Sequence, residues 1–99
     1  MSYELRTLDG KYKRELTEQD FKTILGLAVR SGWKPSPKHL DGHSLRLNQD
    51  FSADEGKALA AALERGVQQG AASLPPQIVV AIFESIAVLR RGSARFVRP

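Results

Sequence analysis

The chain has no cysteine, which excludes disulfides, cysteine-ligated zinc, iron–sulfur clusters and thiol chemistry together. One tryptophan, one methionine and two histidines in 99 residues leave few side chains for a metal or acid–base centre. No apolar run approaches the roughly 18 residues that a membrane-spanning helix needs. The stretch from Met1 to Asp9 lacks the apolar segment of a secretory leader. No Gly-x-Ser-x-Gly elbow occurs, and the eight glycines are scattered rather than gathered into a phosphate-cradling loop. Internal repeats and low-complexity segments are missing too. These absences predict a cytoplasmic, noncatalytic protein with no cofactor, no metal and no membrane partner.

What is present is an ordinary globular balance, 41% hydrophobic and 26% charged, over a length that suits a single domain at 1–99. The net charge of +4 is unevenly placed. The first 85 residues hold eleven basic and eleven acidic side chains; the last 14 add Arg90, Arg91, Arg95 and Arg98 with no acid. Residues 90–99 therefore read as a basic tail or a short edge strand. Such a tail serves phosphate, an acidic protein face or simple solvation.

Three helices are expected. Thr17 and Asp20 have capping-box spacing and Leu16 and Phe21 the spacing of a hydrophobic staple. They open a helix over 18–31 that buries Phe21, Ile24, Leu25, Leu27 and Ala28 and closes at Ser31-Gly32. Ser52-x-x-Glu55 is a full capping box for a second helix, with Leu59, Ala62, Leu63 and Val67 as its stripe and Gly70 as its stop. Gly56 in its first turn costs about 1 kcal/mol against alanine, which implies a close approach there. Pro75-Pro76 opens a third helix, in which ten of the twelve residues from Ile78 to Leu89 are apolar. A helix apolar around most of its circumference is either the central core element or one shared with a partner. The second alternative makes Ile78, Ile82, Phe83 and Ile86 the candidate association residues, in a homodimer or against another protein.

Strand signals are weaker. Tyr3, Leu5 and Thr7 alternate before the Asp9-Gly10 turn, Leu45 and Leu47 alternate within 43–48, and Ala94 to Val97 allow a last short strand. The segment 11–15 is too charged to assign, and 33–42, with two prolines, reads as a loop. The fold class expected is α+β, three helices packed with a small sheet of short strands, helix-dominated, with the helices on one face.

His39-Leu40-Asp41-Gly42-His43 is the one cluster of metal-ligand or acid–base character. It lacks a third histidine or a cysteine, and an exposed loop is expected. Asp54 and Glu55 are accounted for by capping. Arg30, Trp33, Lys34, Lys38, His39, His43 and Arg46 suit single-stranded nucleic acid by stacking and phosphate contact. Alternatively Trp33 folds back to cover the core while the lysines face water. The Gly66-x-x-x-Gly70 spacing is a weak signal outside a membrane helix.

Gly32-Trp33-x-Pro35, then a strand ending near Asn48, then Ser52-Ala53-Asp54-Glu55 running into Ala58-Leu59-Ala60-x-Ala62-Leu63-Glu64, resembles a group of small uncharacterised bacterial proteins. The ending Leu89-Arg90-Arg91-Gly92-x-x-x-Phe96-Val97 is also similar to theirs. Ser36-Pro37, Ser44 and Leu45 depart from that pattern. The resemblance implies a bacterial source and carries over no active-site residue. The function expected is a noncatalytic domain of accessory, regulatory or immunity type that acts through protein contacts, a homodimer among them. The alternative is a nucleic-acid-binding protein using Trp33, Lys34, Arg90, Arg91, Arg95 and Arg98.

Overall fold

Local cap chemistry fixes where the helices start in the computed structural model, which describes residues 2–41, 44–70 and 73–98. Helix α1 (Glu18–Arg30) opens with Asp20 N–H donating to Thr17 Oγ1 at 3.0 Å, while Thr17 N–H reaches Asp20 Oδ2 at 3.4 Å. Helix α2 (Ala53–Gly70) opens the same way, from Glu55 N–H to Ser52 Oγ at 3.1 Å and from Ser52 N–H to Glu55 Oε1 at 2.9 Å. Helix α3 (Pro76–Leu89) starts at Pro76, whose missing N–H would have no intrahelical partner there. At the end of α1, Gly32 takes φ +94°, a conformation costly for a residue with a Cβ.

The strands are β1 (Ser2–Thr7), β2 (Lys13–Thr17), β3 (Leu40–Asp41), β4 (Ser44–Leu45) and β5 (Ala94–Val97). The first two and the last form an antiparallel sheet in the order β2-β1-β5, with Leu5 opposite Arg14 on one side and Phe96 on the other. β3 and β4 make a separate two-residue hairpin. The fold is α+β and helix-dominated.

Two strand expectations need correction. Lys13–Thr17, too charged to assign, is the second strand of the sheet. The strand expected over 43–48 shrinks to Ser44–Leu45, because Asn48 takes φ 61°, outside the β region; His43 lies outside the described residues. Of the two alternatives for residues 90–99, the short strand is the one formed: Ala94–Val97 pairs with β1 at the side of the sheet away from β2.

Tyr3, Leu5 and Thr7 of β1, Leu16 of β2, and Ala94 and Phe96 of β5 turn to the same face of the sheet and are buried beneath the helices. An aromatic run crosses this core. Tyr3 stacks on Phe21 with ring centres 4.3 Å apart, Phe21 and Phe51 both meet Phe96 edge-on, and Trp33 and His39 stack on Phe51. Two glycines set the helix spacing. A Cβ on Gly66 would lie 2.6 Å from Leu27 of α1, and one on Gly56 would lie 3.1 Å from the Leu89 carbonyl of α3.

Helix α3 is the central element, touching α1, α2, β1 and β2. Ile78, Ile82 and Ile86 are buried within the chain along with Ala81, Ser85, Val88 and Leu89. This corrects the association set, since three of its four residues are already covered by the chain's own sheet and helices. Ser85, polar in this interior, donates from Oγ back to the Ala81 carbonyl at 2.8 Å.

Candidate functional site

Residues 80, 83, 84 and 87 fall on one stripe of α3, because side chains three and four apart share a helix face. That stripe is left outside the core: Val80 is 51% and Phe83 52% exposed, and Ala87 and Glu84 are exposed as well. Two contacts place it beside β2. Glu84 Oε2 lies 3.2 Å from Arg14 Nε, and the Arg91 guanidinium, one turn beyond Ala87, lies 4.5 Å from the centre of the Tyr12 ring. Tyr12 is itself an exposed apolar surface. Val80, Phe83, Ala87 and Tyr12 therefore sit on one side of the molecule, with Arg14, Glu84 and Arg91 among them.

The sheet edge on that side is open. Thr7 N–H donates to the Tyr12 carbonyl at 2.9 Å, so residues 12, 14 and 16 aim their main-chain groups at β1, while 13, 15 and 17 aim theirs outward. The Thr17 amide is taken by the α1 cap. Lys13 and Glu15 have no partner for their main-chain groups among the described residues. The opposite edge is closed: Ala94 and Phe51 exchange bonds of 2.8 and 3.1 Å, and Asn48 N–H donates to the Phe96 carbonyl at 2.9 Å. An open strand edge next to an apolar strip offers two modes of protein contact, backbone pairing and apolar burial.

The residues expected to bind nucleic acid are not brought together. Trp33 is 7% exposed, its main-chain N–H donates to the Ala28 carbonyl at 2.9 Å, and its ring covers the core. It offers no platform for a base, which corrects the stacking role assigned to it; Lys34 beside it is exposed. Arg90 pairs with Glu64, and Arg91 rests on Tyr12. Arg95 Nη2 lies 2.9 Å from Asp50 Oδ1, and Arg98 Nη2 donates to the Tyr3 hydroxyl at 2.8 Å while lying over its ring. Each of these four arginines has its own partner, in a different part of the fold.

His39 lies in a loop whose residues 36–38 are exposed, as expected, but its own side chain is turned inward. It is 2% exposed, stacked on Phe51 with ring centres 3.9 Å apart. Its Nε2 lies 2.9 Å from the Asp50 carbonyl, which only accepts, so Nε2 carries the proton. Nδ1 faces Ser36 Oγ at 3.4 Å and Glu55 Oε2 at 3.7 Å. The ring thereby ties the proline-bearing loop to the start of α2, at the wall of a cavity of about 180 Å³ that Trp33, Lys34, Phe51 and Glu55 also line. The Ser52 main-chain N–H holds the Glu55 carboxyl below its ordinary range, with the Ser52 hydroxyl, His39 and Lys38 adding to the effect. Among the described residues no group of three His, Asp or Glu side chains is placed to hold a metal ion. No helix among them is long and apolar enough to cross a membrane.

The open edge of β2 is the feature sequence reasoning missed. Its one signal, the alternation of Tyr12, Arg14 and Leu16, is hidden by the charges of Lys13, Arg14 and Glu15. Comparison with protein-family profiles, with curated proteins and with solved structures found no match.

Proposed function

We propose that the chain is a small noncatalytic domain of accessory, regulatory or immunity type, bacterial in source as its resemblance implies. It acts by docking a protein on the side formed by α3 and β2. The observation that carries the reading is the coincidence, on one side, of the exposed strip Val80, Phe83 and Ala87 and the unpaired edge at Lys13 and Glu15. Of the residues expected to make partner contacts, Phe83 is the one left available. The nucleic-acid alternative loses its stacking platform, because Trp33 is buried.

The reading is tested by photocrosslinking in the cells that make the protein, with benzoylphenylalanine at position 83 or, as a control, at exposed position 57 on α2. A discrete adduct from position 83 and none from 57 is expected. Adducts equally from both positions, or from neither, overturn the reading.

A further inference from the structure

We infer that the partner on this side is a second copy of the chain, joined by antiparallel pairing of β2 with its copy about a two-fold axis at Arg14. The inference rests on the contact reading above and adds the occupant and the register. A two-fold axis perpendicular to a continuous sheet keeps each residue on its own face, so residues of like parity must stand opposite one another. Three registers then use the outward main-chain groups of Lys13 and Glu15. Centring on residue 13 sets Lys13 against Lys13, and centring on 15 sets Glu15 against Glu15; like charges directly opposite are destabilising. Centring on Arg14 sets Lys13 of each copy against Glu15 of the other, twice; its one like pair, Arg14 against Arg14, is the one that has a carboxylate, Glu84, beside each member.

In that register the two residues with unpaired main-chain groups face each other as hydrogen-bonded pairs, giving four N–H···O bonds across the axis. The charges that guard an edge strand against indiscriminate pairing here select one register, because Lys13 and Glu15 differ in sign and are two residues apart.

Side-chain placement agrees. Arg14 falls at the axis, its Nε buried and ion-paired with Glu84 Oε2 at 3.2 Å without the geometry of a hydrogen bond. Glu84, about half exposed, turns Oε2 to its own Arg14 and leaves Oε1 for the Arg14 of the other copy, so that the four charges cancel. Since Glu84 lies on the exposed stripe of α3, that stripe also falls at the axis. The two α3 helices then run antiparallel over a six-stranded sheet, and Val80, Phe83 and Ala87 of one copy meet those of the other.

The test is molar mass by light scattering over a concentration series, with circular dichroism to confirm that each variant is folded. The wild-type protein is expected at twice the mass of one chain. K13E and E15K should each weaken the dimer about tenfold or more by setting like charges opposite each other twice, and the double swap K13E/E15K should restore it. F83D should give a monomer. A wild-type monomer at every concentration overturns the inference, yet leaves the contact reading standing if position 83 crosslinks to a different protein. A dimer indifferent to the charge changes overturns the register.

Discussion

Gly66 stands where α1 and α2 cross, and the crossing admits no substituent larger than hydrogen. A Cβ there would lie 2.6 Å from Leu27 Cγ and 2.6 Å from Ser31 Oγ. G66A therefore forces the helices apart and should cost about 1–3 kcal/mol. Gly26, inside α1, is the contrast: a Cβ there meets only the mobile end of Arg30 at 3.2 Å. G26A should stabilise by about 0.5–1 kcal/mol through the entropy that glycine gives up in a helix. Urea unfolding of the two variants should shift the midpoint in opposite directions, and a shift of the same sign in both refutes this account. The Gly66-x-x-x-Gly70 spacing is visible in the sequence, but spacing alone does not say which helix approaches. His39 was less legible still. Its burial depends on Phe51, twelve residues further on and beyond the β3–β4 hairpin, so no local pattern announces it.

At the scale of elements, what was readable is what is chemically local. The Thr17–Asp20 and Ser52–Glu55 boxes and the Pro75-Pro76 start need no knowledge of the rest of the chain, and all three helices begin where these residues place them. Strand β2 fails that test, since a charged edge strand declares itself only through its neighbour β1. The α2 box also makes a prediction about pH. Hydrogen bonding from Ser52 N–H holds the Glu55 carboxyl below its ordinary range. A group whose folded pKa is depressed stabilises the fold fully above its unfolded pKa, and that stability is lost as pH falls through the folded value. The unfolding midpoint should thus drop between about pH 6 and pH 3. E55Q keeps an oxygen that accepts from Ser52 and removes the charge facing Lys38 and His39. Its acid-side slope should be shallower than that of the wild type, the remainder including Asp9, which the Thr7 hydroxyl and the Lys11 amide hold low in the same sense. An unchanged slope in E55Q would show that the cap charge contributes nothing to acid stability.

At the scale of the whole molecule, the third helix shows why composition alone misplaces a surface. Ten apolar residues in twelve do not reveal which stripe meets the chain's own sheet. That depends on where β1, β2 and β5 lie, and they are drawn from opposite ends of the sequence. Ile78, Ile82 and Ile86 consequently close the core, and the stripe left over is the one that overhangs β2. The same closure decides what residues 94–97 do. β5 pairs with β1 from Glu4–Val97 to Thr7–Ala94, receives Asn48 and Phe51 on its other edge, and places Ala94, Phe96 and Val97 out of water. Deleting residues 94–99 thus opens a second edge, strips Phe21 and Phe51 of their shared aromatic neighbour, and leaves the Phe51 main-chain groups unpaired. The shortened chain should lose its cooperative unfolding transition and its near-ultraviolet dichroism. A basic tail would behave otherwise, since its removal lowers the charge and leaves the midpoint in place. If 1–93 unfolds cooperatively near the wild-type midpoint, β5 is dispensable and the core is closed by β1, β2 and the helices alone.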